Sequence, residues 1–195
     1  MRFFLLLFVL ILGGQAPAQS YFTRTAHIRL KTSNRFMDVE GDNFQVFAQL
    51  DAVTGELTLT ALLKSFEFQL GAANRVLDSQ ALNVSQYPKA TFEGKITNLD
   101  KVNFAQPGNY KVKVDGMLYV WDEKRRTSSD AILSVRPDGS IYAKSSFIMI
   151  IEKQNVDKVN QLMREKLPDV LAIDTNSLGI SRNIYVDMEM AMSEM

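Results

Sequence analysis

The sequence contains no cysteine and a single histidine, His27. Without thiols there is no disulfide, no thiolate metal site and no cysteine nucleophile, so the fold must stand on burial and backbone pairing. Any Ser-His-Asp triad or histidine-based metal centre would have to use His27, which has Arg24 and Arg29 for company; a metal site needs several convergent ligands. His27 is therefore expected to face solvent or to sit at the edge of the core. An excess of charge is also missing. The 22 basic and 22 acidic residues balance, which gives no reason to expect nucleic acid or an acidic surface as partner. No linker rich in Pro, Gly or Ser interrupts the chain, and no internal repeat of useful period is present.

Long apolar runs are scarce too. The longest, Phe3 to Leu12, follows Arg2 and precedes Gly13, Gly14 and Ala16-Pro17-Ala18. A positive start, a short apolar stretch and an A-x-A site make a secretory signal peptide, whereas a spanning helix needs about 20 apolar residues. Residues 1–18 are expected to be removed after Ala18. The lipid-modified kind of bacterial signal needs a cysteine at the cleavage point, and there is none. The remaining chain, 19–195, carries 21 basic against 22 acidic residues. That length suits one domain burying roughly 70% of the surface its unfolded chain exposes. The expected location is the periplasm or outside the cell.

Most of this chain alternates apolar and polar residues, the period of a strand with one buried face. Ala26, Ile28 and Leu30 alternate with Thr25, His27, Arg29 and Lys31; Phe22 keeps this register and Arg24 breaks it. Phe44, Val46, Ala48 and Leu50 form a second stripe, and Leu57, Leu59, Ala61 and Leu63 a third, joined through Val53-Thr54-Gly55 as a hairpin with Gly55 at a positive φ. Phe66, Phe68 and Leu70 end that run. The period becomes helical over Ala72, Ala73, Val76, Leu77 and Ala81, a short helix of about ten residues. Pro88 restarts an extended chain, with Ala90, Phe92, Gly94 and Ile96 on one face.

The cleanest alternation sets Tyr110, Val112, Val114, Gly116, Leu118 and Val120 against Lys111, Lys113, Asp115, Met117, Tyr119 and Trp121, and Gly116 marks a bend. Thr127 to Val135, the turn Pro137-Asp138-Gly139, and Ile141 to Ile151 form another hairpin. From Asn155, read as an N-cap, to Pro168, the residues Val156, Val159, Leu162, Met163 and Leu167 share a helical stripe expected to lie over one end of the fold. A last strand carries Ile184, Val186, Met188, Met190 and Met192 on one face. About eight antiparallel strands and two short helices make an all-β protein. Such strands close most simply as an up-and-down barrel, which removes exposed edges; a two-sheet sandwich remains the alternative.

The segment Leu77-Asp78-Ser79-Gln80-Ala81-Leu82-Asn83-Val84-Ser85-Gln86-Tyr87-Pro88-Lys89-Ala90-Thr91-Phe92 resembles the helix, tyrosine-proline and threonine-phenylalanine strand entry of the YceI-like family. Asp51-Ala52-Val53-Thr54-Gly55-Glu56-Leu57 is similar to that family's preceding hairpin, and Val114-Asp115-Gly116-Met117-Leu118 to its following strand. The similarity runs from about Tyr21 to the last strand, making 19–195 one YceI-like domain. It implies a lipocalin-like barrel around an apolar tunnel, polyisoprenoid-type lipids as ligands, and a bacterial periplasmic protein. Two departures bear on the ligand. Family members commonly carry a threonine and a histidine-glycine pair where this chain reads Leu118-Tyr119-Val120-Trp121-Asp122-Glu123, and often a histidine where it reads Gly71-Ala72-Ala73-Asn74-Arg75.

Catalytic residues are not expected. Glu67, Glu93, Asp115 and Asp130 alternate with apolar neighbours, which puts them on polar strand faces, away from the burial that tunes an acid or base. The run Asp122-Glu123-Lys124-Arg125-Arg126 reads as a solvated turn. Asn83-Val84-Ser85 matches a glycosylation triplet that bacterial export leaves idle. The informative residues are Phe66, Phe68, Phe92, Phe147, Met149, Met188 and Met190, all on apolar strand faces. Flexible methionines suit an irregular or ligand-bearing cavity, although such stripes also simply fill cores, and an eight-stranded barrel has room for either. With the resemblance, these seven are the candidate ligand-binding residues. The expected protein is a lipid carrier or scavenger needing no metal or cofactor, with an isoprenoid or similar apolar chain as partner and homodimerisation left open. The competing expectation is a non-catalytic scaffold barrel packed solid inside.

Overall fold

The computed structural model describes residues 19–33, 38–166 and 179–195. The leader at 1–18, and Leu167 and Pro168 at the expected helix end, lie outside them. In chain order the elements are β1 (Ser20–Ser33), β2 (Asp38–Asp51), β3 (Glu56–Leu62), β4 (Glu67–Phe68), α1 (Gly71–Leu77), β5 (Lys89–Ile96), β6 (Gly108–Val120), β7 (Glu123–Val135), β8 (Ile141–Ile150), α2 (Lys153–Lys166) and β9 (Asn183–Glu194).

Hydrogen bonding joins the strands in the order β1-β9-β8-β7-β6-β5-β3-β2, and β1 pairs with β2 to close the ring. Every pairing is antiparallel. This is an eight-stranded lipocalin-like barrel, not a sandwich. The ninth strand, β4, pairs only with Gly41 and Asp42 of β2; it continues the edge that β3 leaves when the chain turns through a 3-10 helix at Leu63–Ser65.

The ends of the barrel differ because of what connects the strands there. At one end the β3–β5 connection carries α1 and the β8–β9 connection carries α2. These helices pack together through Ala73, Val76 and Met163, with Val159 and Leu162 beside them, and Arg75 donates twice to the Lys166 carbonyl at 3.1 and 2.8 Å. The α2 stripe thus lies over the barrel end, with Val156 and Met163 buried. At the other end, Leu99, Val102 and Phe104 of the β5–β6 connection pack against the barrel core, and Phe104 stacks on Tyr21 with ring centroids 5.7 Å apart.

Two register expectations are corrected. A bulge between Thr23 and Ala26 of β1 shifts the alternation, so Tyr21 and Thr23 are buried while Phe22 is not. A second irregularity, opposite the step from Ala26 to Ile28, falls between Val46 and Asn43 of β2. It turns Phe44 outward, 60% exposed, and puts Asn43 inside at 0%. Asn43 bridges the kink by donating to the Leu62 carbonyl at 2.9 Å and accepting from the Gln45 amide at 2.8 Å. A bulge inserts one residue, and one residue reverses every side chain beyond it. The expected N-cap is corrected as well: α2 begins at Lys153, and Asn155 instead donates to the Glu123 carboxylate at 2.7 Å. Gly55 takes the expected positive φ, 76°, in a turn closed by the Asp51 carboxylate, which accepts from the Val53 and Thr54 amides at 2.8 Å.

One ladder is short. β7 pairs with β6 over its whole length, and β8 pairs with β9 over its whole length. β7 and β8 pair with each other only between Ala131–Val135 and Ile141–Ser145. Toward the helical end the two strands part, leaving a seam in the wall.

Candidate functional site: a cavity through the barrel

Inward-facing side chains on all eight barrel strands surround a cavity of about 340 Å³, within the range of roughly 300–1,000 Å³ usual for small-molecule sites. Its wall is overwhelmingly apolar. Leu57, Leu59 and Ala61 from β3, Val112 and Val114 from β6, and Leu133 from β7 build the middle. Ala73 and Val76 of α1, with Val159 and Met163 of α2, roof the helical end. The interior is therefore not packed solid, contrary to the scaffold expectation.

All seven candidate residues lie on this wall: Phe66, Phe68, Phe92, Phe147, Met149, Met188 and Met190. They reach it by different routes. Phe68 comes from β4 and lies against Gly41, where an added Cβ would meet its ring at 2.5 Å. Phe92 folds its ring across the cross-strand pair Gly94 and Gly116, so these glycines make room for an aromatic wall residue. Phe147 and Met149 stand on the stretch of β8 that has parted from β7. Met188 and Met190 face inward from β9 beside Met192, which is 1% exposed.

The expectation of a solvated turn at 122–126 is corrected, and with it the outward placement of Trp121. The β6–β7 turn consists of Trp121 and Asp122 alone, because Val120 already pairs with Glu123. Alternation on β7 then runs inward through Glu123, Arg125, Thr127, Ser129, Ala131 and Leu133, all on the cavity wall. Only Asp122, Lys124 and Arg126 of the charge run are exposed. Trp121 also lines the cavity. It has φ +55°, where a two-residue hairpin turn normally places glycine and a bulky side chain costs on the order of 1–3 kcal/mol. Its indole Nε1–H is buried with no partner among the described residues. The missed signal was available: counting back by twos from Leu133 and Ala131 gives the same inward set.

The outer wall holds the polar cluster that includes the histidine. His27 Nε2 donates to the Asp42 carboxylate at 2.6 Å and Arg29 Nε donates to the same oxygen at 2.9 Å. The His27 ring stacks on exposed Phe44, centroids 4.2 Å apart. Burial alone would raise the Asp42 pKa, but the hydrogen bonds from Arg29 and His27 outweigh it and hold the carboxyl below its usual range. Among the described residues no group of three or more His, Asp or Glu side chains gathers as a metal site would need. Glu67, Glu93 and Asp130 are exposed on the outer surface, and Asp115 is half-buried.

Similarity to known proteins follows the same architecture. Residues 16–185 match the YceI-like domain. A polyisoprenoid binding domain from Saccharophagus degradans implicated in plant cell wall breakdown superposes with TM-score 0.69 at 13% identity, covering 91% of this chain and 99% of that one. BcnA of Burkholderia cenocepacia gives TM-score 0.57 at 14% identity over 86% and 96% of the two chains. The Campylobacter jejuni YceI protein gives 0.52 at 16% identity over 84% and 88%. At these identities the structures show a common fold. No curated protein matches the chain. With the match spanning most of the sequence and the same barrel in three solved structures, the chain belongs to the YceI-like family.

Proposed function

We propose that this protein holds a long apolar lipid chain, isoprenoid or similar, inside its barrel and acts as a carrier or scavenger. The observation that carries the reading is the cavity itself: about 340 Å³ bounded by aliphatic, aromatic and methionine side chains from every strand of the ring. Burying a methylene is worth roughly 0.8 kcal/mol, so a chain of about ten or more carbons binds there without charged contacts, less the cost of its immobilisation. The related Saccharophagus degradans domain is described as polyisoprenoid binding, which supports the same ligand class here. The Arg2-led apolar run and Ala16-Pro17-Ala18 support export to the periplasm or beyond. The family match starts at residue 16, which favours reading the residues before it as lying outside the domain.

The test is organic extraction of protein purified from its bacterial source, followed by mass spectrometry of both fractions. The expected result is a stoichiometric long-chain lipid in the extract and a polypeptide beginning at Gln19. An extract without lipid would contradict the carrier reading, and an intact Met1 on exported protein would contradict the leader.

A further inference from the structure

Apart from Thr32 on β1, the polar side chains of the cavity wall gather along one strip, which coincides with the seam where β7 leaves β8. Up to Ala131 the inward face of β7 is apolar; beyond it come Ser129, Thr127, Arg125 and Glu123. The β7–β8 ladder stops at the same place, Ala131 against Ser145. A polar strip inside a lipid barrel, beside a gap in its wall, is where a ligand's polar end meets least desolvation cost.

Two features there keep hydrogen-bond donors without an acceptor among the described residues. Trp121 lines the cavity with its Nε1–H buried and without a partner among the described residues, an arrangement costly unless something accepts that hydrogen. Its left-handed backbone is of the kind retained at binding sites despite the strain. Arg125 is the second. It sits between Glu123 and Glu152 at 3.8 and 3.7 Å, too long for hydrogen bonds, so its planar fork of donors remains available. Arg125 is flanked by two carboxylates, and Lys144, the other cation on the wall, is paired with Glu189 at 2.8 Å. Both cations thus already have acidic partners, and the Glu123 and Glu152 carboxylates oppose a further anion. Glu123 is further fixed by Asn155. An anionic head would meet that field unfavourably, whereas an uncharged oxygen acceptor would find donors in Trp121 and Arg125.

We infer that the β7–β8 seam is the polar-head subsite of the lipid, with Trp121 Nε1–H and Arg125 donating to an uncharged oxygen such as a carbonyl. This rests on the lipid-binding reading above and adds to it which end of the ligand goes where and what charge the head carries.

Trp121 is the only tryptophan, so protein labelled with ¹⁵N gives one indole N–H resonance. Lipid-free refolded protein is titrated with three probes of equal tail length: an isoprenoid quinone, the isoprenoid hydrocarbon and the isoprenyl monophosphate. The inference expects the quinone alone to shift the indole proton downfield and slow its exchange with water, and the monophosphate to bind at least tenfold more weakly. The variant Trp121→Phe should weaken the quinone about fivefold, the worth of one hydrogen bond, and the hydrocarbon by less. Joint replacement Glu123→Gln and Glu152→Gln should bring monophosphate affinity up toward that of the quinone. Binding of all three probes with equal affinity and no indole shift would overturn the head subsite while leaving the carrier reading intact. Binding of none would overturn both.

Discussion

Ala90 faces the cavity between its cross-strand partners Ala61 and Val120, which line it too. A larger side chain there occupies ligand space before it crowds protein. Ala90→Phe should therefore lower uptake of a long-chain isoprenoid quinone by roughly fifteenfold, the worth of two displaced methylenes, with the melting transition retained; equal uptake would take Ala90 off the ligand's path. On the outside, Asp42 ties His27 and Arg29 across β1 and β2. Its pKa is depressed in the folded state, so its contribution is fully present above the unfolded carboxylate range and is lost as pH falls through the folded value. Asp42→Asn should cost about 0.5–1 kcal/mol at pH 7, as partly exposed ion pairs do, and the difference from the parent should narrow steadily in melts as pH falls below the ordinary carboxylate range. A gap of constant size would show that the charge contributes nothing. At this scale the sequence was readable wherever alternation ran unbroken, as at Phe92 and Met190. It misled at Phe22 and Phe44 because a bulge leaves no mark in composition, and at Trp121 because a tryptophan was not expected in a turn position suited to glycine.

Among the elements, α2 joins α1 to the roof of the cavity. Its Met163 is 1% exposed and touches both the α1 contact and the cavity roof. Met163→Asp buries an unpaired carboxylate and should destabilise the protein by about 2–4 kcal/mol; an unchanged melting temperature would mean the helix does not seat on the barrel. The stripe of Val156, Val159, Leu162 and Met163 was legible from its helical spacing, and so was its seat over a barrel end. The helix start was not, because the Asn155 side chain is engaged by Glu123 on β7, a partner 32 residues away that no local pattern reveals. β4 was missed as a separate strand for a similar reason: two residues are too few for a period, and what makes Glu67 and Phe68 a strand is the free edge of β2 beyond β3. The parting of β7 from β8 is likewise a long-range property, since both sequences go on alternating past the point where their ladder ends.

For the whole molecule, closure followed from counting: eight alternating strands joined in sequence leave no edge once β1 meets β9 and β2. The inward face could be read from the same alternation, which is why all seven candidate residues lie on one wall. What alternation cannot convey is whether side chains meet across the barrel, because that depends on ring radius and strand tilt. The central claim is that this space holds an extended apolar chain, and its most direct measurement is the affinity of lipid-free refolded protein for straight-chain ligands of one head and increasing length. Affinity should rise about fourfold for each methylene added, the equivalent of roughly 0.8 kcal/mol, and level off once the cavity is filled. Affinity independent of chain length, or no uptake at any length, would contradict the account.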